Sequence, residues 1–164
     1  LEAARFAPTA ANSQGMYYLV IQDRDLIKKI TDCVADWMQE QIDNKSPQKR
    51  YFIKVLHVYR ERGIDIIGRN ARQLIFVLAR RLNVTGPSNS EQSLAYAELY
   101  APTLGLGTTI MGFIETCLRA DYTPLRELLQ IPTKQVGVGC LLVGYPRYRY
   151  HKLVDRQHLK VEFR

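Results

Sequence analysis

Cysteine is scarce in this chain. Cys33, Cys117 and Cys140 are odd in number, far apart and without a CxxC pair. That argues against a disulfide framework and a thiolate zinc site, and it suits a reducing cytosol. Histidine is as sparse: His57, His151 and His158 show no ligand spacing, and no serine stands in a nucleophile elbow. The spacing therefore gives little support to a metal centre or a hydrolytic triad. Long apolar runs are missing too. Nothing approaches the ~20 residues of a membrane-spanning helix, and the first residues carry no basic-then-apolar leader pattern.

What is present is an ordinary globular balance. The 164 residues are 46% hydrophobic and 24% charged, enough for one core and a single domain over 1–164. The net charge of +7 is unevenly placed. Residues 145–164 hold six Lys or Arg against two acids, so +4 of the +7 belongs to a C-terminal arm and the body is nearly balanced.

Periodicity outlines interleaved helices and strands. MYYLVIQ (16–22) reads as a strand. A helix follows, capped by Asp23 or Asp25, with Leu26, Ile27, Ile30, Val34, Trp37, Met38 and Ile42 on one face. Ser46 before Pro47 predicts a third helix with Tyr51, Phe52, Val55, Leu56 and Tyr59 as its apolar face, stopped by Gly63. QLIFVLA (73–79) reads as a buried strand and RRLNVTGPSN as a loop. Ser88 with Glu91 predicts a capping box for a helix over about Asn89 to Thr103. A short β-branched run in LGLGTTIMG comes next. Two brief helices follow, the second capped by Thr123 with Pro124 at its first position. QVGVGCLLVGYP is the last core strand, and LKVEF alternates like an edge strand. The fold class is α+β or mixed α/β, without repeats.

Three stretches invite a functional reading. GLGTTIMG has two glycines of a dinucleotide fingerprint, but Ile110 stands at the third and a helix precedes it, so that reading fails. A glycine-rich turn would still let a flat ligand lie against main-chain N–H groups near Met111 and Gly112. The tail YPRYRYHKLVDRQHLKVEFR alternates aromatic and basic residues. Arg147, Arg149, Lys152 and Arg156 fit contact with a nucleic-acid backbone or a cofactor phosphate, and equally a solvated arm. Asn12, Ser13 and Gln14 are good turn formers, and the small residues before them would also let a ring system approach the backbone.

LEAARFAPTAANSQ, LAYAELYAPTLGLGTTIMGF and VGVGCLLVGYPRYRYHKLVDRQHLKVEF, in that order, resemble three segments of the FMN-dependent nitroreductase family. With ADWM at 35–38, the closing pattern is most similar to nitroreductase domains fused behind a ferredoxin-like iron–sulfur domain. The resemblance implies a nitroreductase-like α+β fold, a central mixed, mostly antiparallel sheet flanked by helices, in an intertwined homodimer with FMN at the interface. It implies that Pro8, Thr9, Ala10 and Asn12 line the isoalloxazine from the partner subunit. Gln14 matches the family's glutamine. Ile110 belongs to the flavin-facing strand, and main-chain donors near Met111 and Gly112 face flavin N5. Arg156 matches the phosphate-binding arginine of the arm, with Lys152 a helper.

Electrons would come from NAD(P)H or a ferredoxin-type donor and pass by a ping-pong route to nitroaromatic, quinone or similar acceptors. No nucleic-acid or membrane partner and a cytoplasmic location follow. The flavin carries the chemistry itself, so no catalytic side chain is required. The family's Arg-Arg-Ser segment should precede Leu1, so the chain is expected to be a piece of a longer protein. Gln14-Gly15 replaces the usual Gln-Pro, and Thr9 stands where serine is commoner. Two rivals remain: a basic nucleic-acid-binding domain using the Tyr/Arg tail, and a flavin-less family member acting as a dimeric scaffold.

Overall fold

Leu74–Arg80 forms the central strand β2, and its side chains sort by a period of two. Leu74, Phe76 and Leu78 enter one hydrophobic cluster, while Val77 and Ala79 enter another on the opposite face. The computed structural model, which describes residues 1–148, 151, 152 and 154–164, places β2 beside β1 (Met16–Ile21) and β4 (Gln135–Gly144). A short β3 (Gly107–Ile110) completes the order β1-β2-β4-β3, and every described pairing is antiparallel.

Two layers cover this sheet. On one face lie α1 (Arg24–Asp43), α2 (Lys49–Leu56), α4 (Gly112–Arg119) and α5 (Thr123–Leu128). On the other lies α3 (Gly86–Tyr100), which contributes Leu94. A bulge in β4 between the partners of Val77 and Leu78 inserts Val138 without a partner. The insertion reverses the alternation. Val136 and Val138 then face α3, and so do Leu141 and Val143. Gly137 and Gly139 flank the bulge because neither position has room. A Cβ on Gly137 would lie 2.2 Å from Leu118 Cγ, and one on Gly139 would lie 2.6 Å from Leu94 Cδ1.

The helix signals hold in part. Asp23 caps α1, its carboxylate accepting from Asp25 and Leu26 N–H, a contact worth about 1 kcal/mol. Helix α2 begins at Lys49, after the expected Ser46-Pro47 start. Only the Ser46 carbonyl assists, accepting from Lys49 N–H at 3.0 Å, while its hydroxyl is buried without a partner. Gly63 ends this region with φ +64°. Phe52, Val55 and Leu56 are buried as expected, but Tyr51 is 58% exposed.

Helix α3 begins at Gly86, three residues ahead of the expected start, so the stretch RRLNVTGPSN is only half loop. Pro87 presets the first turn. The predicted capping box therefore falls inside the helix, and Asn89 becomes a buried side chain. Thr123 is the first residue of α5 rather than its cap, which is Tyr122.

The expected tail strand LKVEF is not a strand within this chain. An edge strand needs a neighbour, and the chain's own sheet ends at β1 and β3. Leu159 and Phe163 are exposed, and Arg149 lies outside the described residues. Among the described residues no helix is long and apolar enough to cross a membrane.

Candidate functional site

The loop over residues 8–14 is built by its own polar groups. Ala11, Asn12 and Gln14 adopt φ of 53°, 51° and 50°, each carrying up to about 1–2 kcal/mol of strain for a residue with a Cβ. A dense hydrogen-bond set offsets that. Asn12 N–H donates to Thr9 O at 2.9 Å, Ser13 N–H to Ala10 O at 3.1 Å, and Gln14 N–H to Thr9 Oγ1 at 3.1 Å. The Gln14 side chain donates to Asn12 Oδ1 at 3.0 Å. Thr9 thus keeps the hydroxyl that serine would supply. Gly15 needs no special conformation, and a Cβ there would meet only Ser13 O at 3.7 Å. The result is a rigid shelf whose Pro8 and Ala10 stay exposed.

Asn89 fixes this shelf to α3. It is 3% exposed; its Oδ1 accepts from Ala10 N–H and its Nδ2 donates to Ser13 Oγ, both at 3.1 Å. Sequence reasoning missed Asn89 because it assigned that position to the start of a helix. Its signal was an asparagine on what proves to be the helix's inner face.

The second group sits where β3 runs into α4. Met111 N–H donates to Cys140 O at 2.9 Å, so this expected donor is engaged by the sheet. The first helical bond runs from Glu115 N–H to Met111 O at 2.8 Å. The N–H groups of Gly112 and Phe113 precede it, and among the described residues neither has a backbone acceptor. A Cβ built on Gly112 meets nothing within 4 Å, so the space on the side-chain side of that residue is open. Ile110, 56% exposed, stands at the rim.

These residues border a groove of about 460 Å³ whose other walls include Tyr51, Ile67 and Arg69. Arg69 was also missed. It and Asn70 adopt φ of 54° and 50° in a tight loop. Asp65 holds that loop, accepting from Gly68 N–H at 2.7 Å and Asn70 N–H at 2.8 Å. Gly68 is required there, since a Cβ would lie 2.3 Å from Thr31 Oγ1. Among the described residues Arg69 is the one charged side chain lining the groove, and no carboxylate lines it.

The expected site residues thus fall into two separate groups in one chain. The shelf at 8–14 hangs on α3, while Ile110, Met111 and Gly112 open toward α2, and none of the described grooves takes lining from both. Lys152 and Arg156 are exposed and line none of these grooves either.

The thiols offer no nucleophile. Burial pushes Cys117 and Cys140 up, and burial together with Asp36 and Glu40 pushes Cys33 up to about 11. Among the described residues no three His, Cys, Asp or Glu side chains gather to hold a metal. The two groups therefore suit binding of a flat, electron-accepting ring: an apolar rim, free N–H groups, one cation and no acid–base pair.

Known proteins share this architecture. The chain is 25% identical over 152 residues to the FMN reductase [NAD(P)H] of Bacillus subtilis (strain 168), covering 93% of this chain and 57% of that protein. It therefore spans little more than half the length of the curated relative. A Bacteroides fragilis nitroreductase with bound FMN superposes with a TM-score of 0.68 at 18% identity, over 98% of this chain and 80% of that one. A BluB-like flavoprotein from Clostridium difficile 630 superposes with a TM-score of 0.69 at 16% identity, over 95% and 82%. These structures establish the α+β fold. The model of the Nitroreductase family matches residues 1–145, most of the chain, and this chain belongs to that family.

Proposed function

We propose that the chain is the FMN-binding part of an oxidoreductase that works as a homodimer. The observation that carries this reading is the Gly112 and Phe113 N–H groups at the start of α4, which have no backbone acceptor among the described residues and border a groove that Arg69 also lines. When bound, FMN supplies the redox chemistry, taking two electrons from NAD(P)H, or from a ferredoxin-type donor, and passing them to a nitroaromatic, quinone or similar acceptor.

The chain's own residues bind and tune. The Gly112 and Phe113 amides, at the positive end of α4, favour negative charge on a ring edge laid against them. Arg69 adds a formal charge on the same rim. Ile110 excludes water from one side. Pro8, Thr9 and Ala10 offer a second flat wall, with Asn12 and Gln14 holding its shape. No groove of one chain takes lining from both walls, and a second copy would supply the shelf. Arg156, assisted by Lys152, neutralises the phosphate from the arm, and LKVEF extends the partner's sheet. Donor and acceptor share one open face, which makes turnover ping-pong.

Exposed apolar side chains support pairing: Phe6 is 71% exposed, Leu99 77% and Leu104 57%. Such residues are expected where a second copy covers them. The relatives named for FMN lend the cofactor its chemical identity.

The experiment is an absorbance titration of the purified protein with FMN, followed by ultracentrifugation. Tight, saturable binding of one FMN per chain in a dimer supports the reading. A colourless protein indifferent to excess FMN overturns it. Salt-dependent RNA affinity in that colourless protein would favour the nucleic-acid rival.

A further inference from the structure

Tyr51 departs from the pattern of its helix. Its neighbours Phe52, Val55 and Leu56 are buried, yet Tyr51 is 58% exposed and turns toward the groove at the start of α4. There it meets Phe113, ring centroids 5.7 Å apart and planes inclined by 37°, and the Phe52 ring centroid lies 6.4 Å away. Among the described residues its hydroxyl has no hydrogen-bond partner, since the tyrosine hydroxyl bonds belong to Tyr18, Tyr59 and Tyr122.

An exposed aromatic ring in contact with two others offers a stacking surface, and those contacts reduce the rotamer freedom it must give up when a further ring stacks on it. The same groove carries Arg69 and no carboxylate, and the N-terminus of α4 opens into it. Both features favour an anion over a cation.

We propose that Tyr51, backed by Phe113, is the specificity-determining shelf on which a planar aromatic acceptor bearing a negative charge stacks, an aromatic carboxylate or phenolate. This rests on the oxidoreductase reading for its place in turnover, but not for the binding surface itself. Tyr51 positions the ring, its hydroxyl donates to an acceptor oxygen, and Arg69 supplies the charge preference. Tyr51 takes no part in electron transfer.

Two measurements test it. The first is calorimetric titration of the purified chain, with and without FMN, with 2-naphthoate and with a naphthyl trimethylammonium ion. The carboxylate should bind at least about tenfold more tightly than the cation. Tyr51→Ala should weaken it about tenfold or more, the range of one lost stacking partner, and Tyr51→Phe should restore most of it. Equal binding of the two ions, or a Tyr51→Ala variant with unchanged affinity, overturns the proposal. The second is the ratio of kcat/KM for 4-nitrobenzoate to that for ferricyanide, which has no ring to stack. Tyr51→Ala should lower this ratio about tenfold, chiefly through KM, and an unchanged ratio overturns the proposal. Should the chain bind naphthoate through Tyr51 yet take no FMN, the shelf stands and the oxidoreductase reading falls.

Discussion

Asn89 grips Ala10 across 79 residues of sequence: the buried amide oxygen accepts the Ala10 N–H at 3.1 Å, while the amide nitrogen of the same side chain reaches Ser13 Oγ. One residue thereby clamps both ends of a strained turn. Asn89→Ala should cost about 1–3 kcal/mol through lost and unmet hydrogen bonds, measured by urea unfolding. It should also weaken FMN binding, because the shelf loses its shape. Asn89→Asp keeps the acceptor and should fall between the two. Unaltered stability in Asn89→Ala would mean the loop holds itself.

Gly112 separates folding from binding. Its backbone is ordinary and its surroundings open, so Gly112→Ala should change stability by no more than about 1 kcal/mol. The added methyl would nevertheless project into the open space beside the Gly112 amide, on the groove's border. FMN affinity should drop about tenfold, the value of one hydrogen bond. Unaltered affinity would place the flavin elsewhere.

Gly137 tests the packing of β4 on α4. A methyl added there would sit only 2.2 Å from Leu118 Cγ, so Gly137→Ala should destabilise by about 1–3 kcal/mol through overpacking. Adding Leu118→Ala should recover part of that, a coupling that thermal melts of the two single variants and the double variant would measure.

Asp121 links acid stability to two arginines. Burial pushes its carboxyl up, but hydrogen bonds from Arg81 and Arg126 outweigh that and hold it below the usual carboxylate range. A depressed folded pKa contributes stability above the unfolded pKa of about 3.9 and loses it as pH falls through the folded value. Asp121→Asn should therefore unfold at lower urea than the parent at pH 7, with the gap closing below about pH 4. A gap independent of pH would assign the effect to packing.

Arg156 is the proposed anchor for the phosphate. Arg156→Ala should weaken FMN binding by roughly 1.5–3 kcal/mol, the range for a hydrogen bond to a charged group. Fluorescence titration against the parent reads this directly, and equal affinities would point to another anchor.

Local chemistry made much of this molecule legible. The apolar spacing from Ile27 to Met38, the aspartate that begins α1, the β-branched run of β2 and the glycine that ends the α2 region all act within a few residues, and each appears where expected. The early start of α3 has a tertiary cause. Ser88 and Glu91 satisfy a capping pattern, but Gly86 packs so closely on β2 that a Cβ there would lie 2.8 Å from Ala79 Cβ, and Pro87 presets a turn, so the helix starts earlier. A short motif loses to backbone packing that it cannot register.

The sequence by itself determined most of the elements and the polar loop at 8–14, because those follow from side-chain type and near-neighbour spacing. Only the tertiary structure decided that Asn89 holds that loop, that Met111 N–H is engaged by Cys140 O while Gly112 N–H is free, and that Arg69 and Tyr51 share one groove. Those outcomes depend on which distant strands and helices come together. Contacts of that kind are set by the packing of the whole sheet between its layers, not by the order of residues along any one stretch.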